Sequence, residues 1–285
     1  MLVSEAVNKD YKEQLLNEEK RPSTIRGYMC DLNFWVKYLE ECLNGPALME
    51  DLDSGSITQF LLMLKEERGY KPSSRKRLAM SIKMFLRFAY KARLIEENLA
   101  EDVPVIKCPQ QERDFLSEEE VLTFMRAVDH YVVRVAIATM FYAGLRVSEV
   151  TKLMVGDVDM KEGLLCINDA KGGKSRIVPL SPKLRVILED YLEWKVDSPW
   201  FFATAKTGKV SNVRISSVIR ETREKLGWDN HVTPHTFRHS FASSLAAKDV
   251  NVVSISKLMG HSDIKTTSIY LHADQSQLVE AVNAL

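Results

Sequence analysis

The sequence predicts two domains: an all-α N-terminal domain, then a mixed, mainly α domain with a small antiparallel β-sheet. Three observations lead to this. Apolar residues of the first hundred positions recur every three or four residues, the helical period. A stretch with two prolines, "EDVPVIKCPQQERD" (101–114), then interrupts the pattern as an extended linker would. Beyond it, two short apolar runs flank a glycine-containing turn, the mark of a hairpin. A chain of 285 residues is long enough for both domains. The expected boundaries are 1–102 for the first domain, 103–113 for the linker and 114–285 for the second.

The elements follow in order. Ile25, Met29, Leu32, Val36 and Leu39 form one stripe over a helix at 24–41. Ile57, Phe60, Leu61 and Leu64 mark a second helix. Residues 73–92 make a third, with Leu78, Ile82, Phe85 and Ala89 on one face and Lys76, Lys83, Arg87 and Lys91 on the other. Ser117 and Glu120 form a capping box ahead of Val121, Leu122 and Met125, which opens the second domain. An apolar helix at 131–143 stops at Gly144. "LLCIN" (164–168) and "RIVPL" (176–180) are hairpin strands around "DAKGGKS". Helices follow at about 182–195 and 212–226, with "PWFFA" (199–203) as a short strand between them. Thr233 and Pro234 open a further helix as N-cap and first residue. Gly260 stops the next, Ser262 caps another, and Leu278, Val279, Val282 and Leu285 give a short amphipathic tail helix.

Composition narrows the function classes. Apolar content of 45% and charged content of 27% are those of an ordinary globular protein. No apolar run approaches the roughly 18 residues of a membrane span. The start "MLVSEAVNKDYKEQ" is too polar for a signal peptide, so a cytoplasmic location is expected. Cys30, Cys42, Cys108 and Cys166 are scattered with no CxxC pair, which argues against a zinc knuckle or a disulfide framework. Reduced cysteines in or near cores are expected. Net charge is zero, yet residues 65–93 hold ten Lys/Arg against two Glu, a local charge of +8. No acid falls between Arg68 and Ile95, a run that fits a polyanion footprint and a solvated surface equally.

"HTFRH" (235–239) admits three readings: a metal site, a buried polar cluster or an anion clamp. His235 and His239 have the spacing of a zinc helix, but Thr236 stands where a zinc protease needs Glu, Arg238 adds a positive charge, and no third ligand is evident. Phe237, Phe241 and Leu245 take the core stripe, leaving His235, Arg238 and His239 on another arc. Burying those three unpaired is costly. Meeting an anion at a helix N-terminus is favourable. Other cationic segments agree: Arg146 in "AGLRVSE", and Lys171 and Lys174 on the hairpin turn. "LMGHSD" presents His261 and "TTSIYLH" presents Tyr270.

Taken in order, "GLRVSEV", "AKGGKSRIVPL", "HTFRHSFASSL" and "LMGHSDIKTTSIY" resemble the motif set of the tyrosine site-specific recombinases, the phage integrase and Xer-like family. The resemblance covers the whole chain. "STIRGYMCDL" looks like the opening helix of that family's core-binding, SAM-like domain. Phe237 stands where relatives often carry Leu, a difference expected to alter core packing alone. The resemblance implies that Tyr270 attacks a DNA phosphodiester and forms a 3′-phosphotyrosine link. It implies that Arg146 and Arg238 bind the non-bridging oxygens, that Lys171 is the general acid for the 5′-hydroxyl, that His235 assists proton transfer and that His261 bonds the phosphate. His239 has no implied chemistry and is expected to pack beside the site. No cofactor, metal or ATP is implied, and the Walker pattern is absent.

The implied partner is a double-stranded DNA recombination site, gripped between the basic helix and the catalytic domain. Arg75, Lys76, Arg77, Lys83, Arg87 and Lys174 are the candidates for DNA contact. A homotetramer on two sites, joined through the tail helix and exchanging strands through a Holliday junction, is the implied assembly. With no arm-binding domain ahead of residue 20, a simple Xer-like or transposon-encoded enzyme is expected. Its expected role is resolving or integrating a mobile element, with transposon cointegrates or plasmid and chromosome dimers as substrates. Two other readings are a type IB topoisomerase and a non-catalytic DNA-binding protein.

Overall fold

A computed structural model describes residues 1–109, 115–168 and 175–260. The expected positions Lys171, Lys174, His261 and Tyr270, the Ser262 cap and the tail helix lie outside the described residues. The chain divides into two compact units, Met1–Gln111 and Glu112–Leu285.

In the first unit, α1 (Val3–Glu5) and α2 (Lys12–Asn17) flank a π-helical segment, Ala6–Tyr11. Helices α3 (Pro22–Leu43), α4 (Ser54–Glu66) and α5 (Pro72–Lys91) follow. Prolines open α3 and α5 at the position where a missing N–H costs nothing. Asp53 caps α4 by accepting the Ser56 N–H at 2.9 Å. The predicted apolar stripes meet in one core around Leu32, Trp35, Phe60, Ile82 and Phe85, all fully buried. Asp31, buried in α3, accepts from Ser81 Oγ at 2.8 Å and pairs with Arg77 at 2.7 Å, which ties α3 to α5. The cysteine expectation is corrected here. Cys30 and Cys42 lie exposed on α3, off its apolar stripe, while Cys108 and Cys166 are half-buried.

The second unit is built around α7 (Tyr131–Ala143), which is apolar nearly all round and buried to match. α6 (Glu118–Ala127) begins with the predicted capping box: Ser117 N–H donates to Glu120 at 2.7 Å and Glu120 N–H to Ser117 Oγ at 3.2 Å. After the short helix α8 (Val147–Val150), strands β1 (Val158–Asp159), β2 (Leu164–Ile167) and β3 (Arg176–Pro179) pair antiparallel in that order. The hairpin register sets Leu165 against Val178, both buried, and Ile167 against Arg176. Helices α9 (Pro182–Trp194), α10 (Asn212–Lys225), α11 (Pro234–Ala246) and α12 (Val252–Met259) complete the unit.

The strand expected at 199–203 does not form. Trp200 makes one isolated bridge to Met154, and Phe201 and Phe202 are both buried beside Tyr191. Two consecutive buried rings cannot alternate as a half-buried strand requires. β1, only two residues long, was not anticipated by any apolar run.

Gly144 ends α7 in the left-handed conformation (φ +65°). A Cβ there would stand 2.5 Å from the Phe241 ring. Gly144→Ala is therefore expected to cost at least about 2 kcal/mol, from the left-handed backbone and from overpacking together. Urea denaturation of the full chain measures it; an unchanged midpoint would contradict the close approach of α7 and α11.

Candidate functional site

The site begins with local capping. Leaving Gly144, the chain starts α8 with Arg146 as N-cap and Glu149 at the third helical position. Glu149 reaches back to accept the Arg146 N–H at 2.7 Å, the reciprocal half of a capping box. The same carboxylate accepts Arg146 Nη1 at 2.8 Å. Local helix-start geometry thus places both the cation and its acid.

Tertiary contacts bring in two more arginines. Arg176, the first residue of β3, forks onto Glu149 with Nη1 at 2.9 Å and Nη2 at 2.8 Å. Arg238, on α11, stands 3.7 Å from the same carboxylate. It donates to the Gly144 carbonyl and, at 2.5 Å, to that of Met259. Three guanidinium groups from three segments therefore surround one buried carboxylate. Burial pushes the Glu149 carboxyl up, but the hydrogen bonds and charge of Arg176, the Arg146 N–H and the charge of Arg238 outweigh it and hold the group at about 2.

The end of α12 closes the cluster. Helix C-termini leave carbonyls without intrahelical donors and carry the negative end of the dipole. Here the carbonyls of Leu258, Met259 and Gly260 accept from Arg176 (2.8 Å), Arg238 and Arg146 (3.5 Å) respectively. Gly260, left-handed at φ +62°, turns the chain there, immediately before the candidate His261.

His235 is exposed one turn before Arg238, and His239 is half-buried. Their rings lie 6.3 Å apart. α11 begins at Pro234 as predicted, with Thr236 Oγ1 accepting the Thr233 N–H at 3.0 Å. Among the described residues, no three His, Cys, Asp or Glu side chains gather where they could hold a metal ion. Arg238 itself is 3% exposed. Its burial is a paired one: backbone carbonyls and Glu149 supply the partners that offset the cost of taking the guanidinium out of water. Arg146 keeps about a quarter of its side chain exposed (26%), whereas Arg238 is buried.

Neither Glu149 nor Arg176 stands among the site residues expected from the sequence. Glu149 left a signal, standing three residues after a helix-starting position in "RVSE". Arg176 left none, since in "SRIVPL" it reads as an outward strand residue.

On α5, Lys76 and Arg77 are exposed and Arg75 is half-buried. Arg77 pairs with Asp31, and Glu101 draws on both Lys83 (3.7 Å) and Arg87 (3.3 Å). The acid-free run in sequence is thus answered by acids from elsewhere in the fold.

Comparison with known proteins decides the family. Residues 114–277 match the Phage integrase family, and residues 9–94 match its N-terminal SAM-like domain. The chain belongs to the phage integrase family. As a member it is a tyrosine recombinase, with a SAM-like domain ahead of a catalytic domain. A tyrosine recombinase of Thermosipho africanus is 30% identical over 273 residues, 92% of this chain and 93% of the relative. Tyrosine recombinase XerA of Pyrococcus horikoshii is 30% identical, covering 98% and 94%. Among solved structures, a Tn1549 transposon integrase in complex with a circular intermediate DNA is similar in fold, with a TM-score of 0.80, 17% identity and all of both chains covered. In this family member, no helix of the described residues is long and apolar enough to cross a membrane.

Proposed function

We propose that the chain is a site-specific recombinase that cuts and rejoins double-stranded DNA through a 3′-phosphotyrosine intermediate and a Holliday junction. The observation that carries this reading is the convergence of Arg146 and Arg238, from distant parts of the sequence, around Glu149 at the end of α12. Two guanidinium forks at one place match the non-bridging oxygens of a phosphodiester. Preorganised cations stabilise the extra charge of a five-coordinate phosphorane without reorganisation during the reaction.

The remaining roles rest on motif order. Tyr270 is the nucleophile that attacks the phosphodiester. Lys171 protonates the departing 5′-hydroxyl, His235 assists proton transfer with Tyr270, and His261 bonds the phosphate. The covalent link conserves the energy of the broken bond, so rejoining needs no ATP. Lys174 and the cations of α5 (Arg75, Lys76, Arg77, Lys83 and Arg87) contact the DNA backbone, which gives most of the affinity and a steep salt dependence. The domain limits are 1–102 and 114–285, with 103–113 as the link. The working assembly is a homotetramer on two sites joined through the tail helix, in the cytoplasm. The biological role is resolution or integration of a mobile element, or resolution of plasmid or chromosome dimers.

A plasmid carrying two copies of the DNA flanking the gene tests the reading. Exchange between the copies supports it. Relaxation without exchange would favour a type IB topoisomerase, and binding with neither would leave a DNA-binding protein.

The α5 contacts carry their own prediction. Glu101 occupies two cations that a phosphate would use, so Glu101→Gln is expected to tighten DNA binding about two- to fivefold, the worth of an exposed ion pair. Fluorescence anisotropy at fixed salt measures it. Asp102→Asn, the same charge change one residue away, should have a smaller effect; equal gains would reduce the effect to general charge.

A further inference from the structure

Arg176 takes no part in the chemistry just proposed, yet its side chain is nearly as buried as that of Arg238 (8% against 4% exposed). It touches both Glu149 and the end of α12, at the Leu258 carbonyl. We infer that Arg176 is a positioning residue for strand cleavage: its fork on Glu149, together with its hold on the end of α12, sets where Arg146 and Arg238 meet the scissile phosphate. The inference rests on the recombinase reading above.

The geometry carries it in three steps. First, Arg176 Nη2 stands 2.8 Å from Glu149 Oε2, while Arg238 Nη1 stands 3.7 Å from that same oxygen. The oxygen is taken by Arg176 and by the Arg146 N–H, so Arg238 is held near the carboxylate but outside hydrogen-bonding distance of it. Without Arg176, a buried carboxylate would face only Arg146, which it already binds, and Arg238, which it would draw in and away from an incoming phosphate. Second, three guanidinium groups against one carboxylate leave the cluster positive, as an anion site requires. With two, that excess falls by one charge. Third, Arg176 is rooted where it can couple segments. It pairs with Ile167, four residues before Lys171 in sequence, and its Nε holds the Leu258 carbonyl at 2.8 Å, three residues before His261. Gly260 makes room for it: a Cβ at that position would lie 3.0 Å from Arg176 Cδ.

An ion pair that merely stabilises the fold makes a different prediction. The test uses the full-length chain and four variants: Arg176→Met, Arg176→Lys, Glu149→Gln and the double Arg176→Met/Glu149→Gln. The probe is a nicked duplex bearing the half-sites that footprinting finds beside the gene. Three quantities are read, at a temperature where melting curves show every protein folded: non-covalent affinity, melting temperature and the single-turnover rate of the SDS-resistant adduct. Arg176→Met is expected to bind DNA with nearly unchanged affinity and to form the adduct about 10²-fold more slowly, the size of effect expected from misplacing reacting groups by about an ångström. Arg176→Lys, which keeps the charge and the fold, should lose most of that rate as well, because an ammonium cannot fork. The double variant should be no slower than the slower of its single variants, since both changes break one device.

Wild-type adduct rates in Arg176→Lys or Arg176→Met would overturn the inference, as would losses that multiply in the double variant. If Arg176→Met does not fold, Arg176→Lys decides by the same criterion. A wild-type chain that forms no adduct on this DNA would overturn the recombinase reading and this inference with it; a wild-type adduct matched by the Arg176 variants would overturn this inference alone.

Discussion

Glu149→Ala is expected to destabilise the second unit by about 3–5 kcal/mol, the usual cost of removing one partner of a buried ion pair. The carboxylate is the common acceptor for Arg146 and Arg176 and stands 3.7 Å from Arg238. Its loss leaves Arg176 and Arg238 buried without it, and the Arg146 N–H without its cap. Urea denaturation compares the unfolding midpoint with wild type. A change below about 1 kcal/mol would mean that the carboxylate does not organise the cluster. The pH dependence supplies an independent check. A folded-state pKa of about 2, below the ordinary 4.5, stabilises the fold above pH 4.5 and loses that contribution as pH falls from about 4.5 toward 2. Among the described residues, the facing charges are Arg146, Arg176 and Arg238, all cationic throughout this range. The wild type should therefore lose stability more steeply over this window than Glu149→Gln, by at most about 3 kcal/mol. Parallel curves would remove Glu149 from the account.

Tyr270→Phe is expected to keep DNA binding and lose the covalent adduct altogether. Removing one hydroxyl leaves the cations that give affinity, and no other group on the chain is assigned to make the phosphodiester exchange. The measurement is SDS gel electrophoresis with labelled nicked DNA, alongside a mobility shift for binding. Adduct at the wild-type level would transfer the nucleophile to another residue and undo the reading of "TTSIYLH". Loss of both binding and adduct would make the tyrosine a folding residue instead.

The two kinds of information divide along physical lines. Helices α3, α5, α6, α7 and α11 were legible because each depends on local rules: an apolar stripe of helical period, a proline or a capping box at the start, a glycine at the end. The hairpin was legible for the same reason, since β2 and β3 are adjacent in sequence and their alternation matches the observed register. "PWFFA" was misread because burial of Phe201 and Phe202 together depends on Tyr191, which no local rule supplies. The exposure of Cys30 and Cys42 likewise follows from which face of α3 meets the other helices.

The site divides in the same way. By itself the sequence determined the order of the motifs, from "GLRVSEV" to "TTSIYLH", and hence the family, because residue type and spacing are carried by the chain alone. Only the tertiary structure decided that Arg238 lies buried rather than out on the surface, that Glu149 gathers Arg146, Arg176 and Arg238, and that the carbonyls ending α12 take one arginine each. Apart from the local Arg146–Glu149 pair, those contacts join residues distant in sequence, and whether a buried charge is tolerable depends on partners that only folding brings within hydrogen-bond distance.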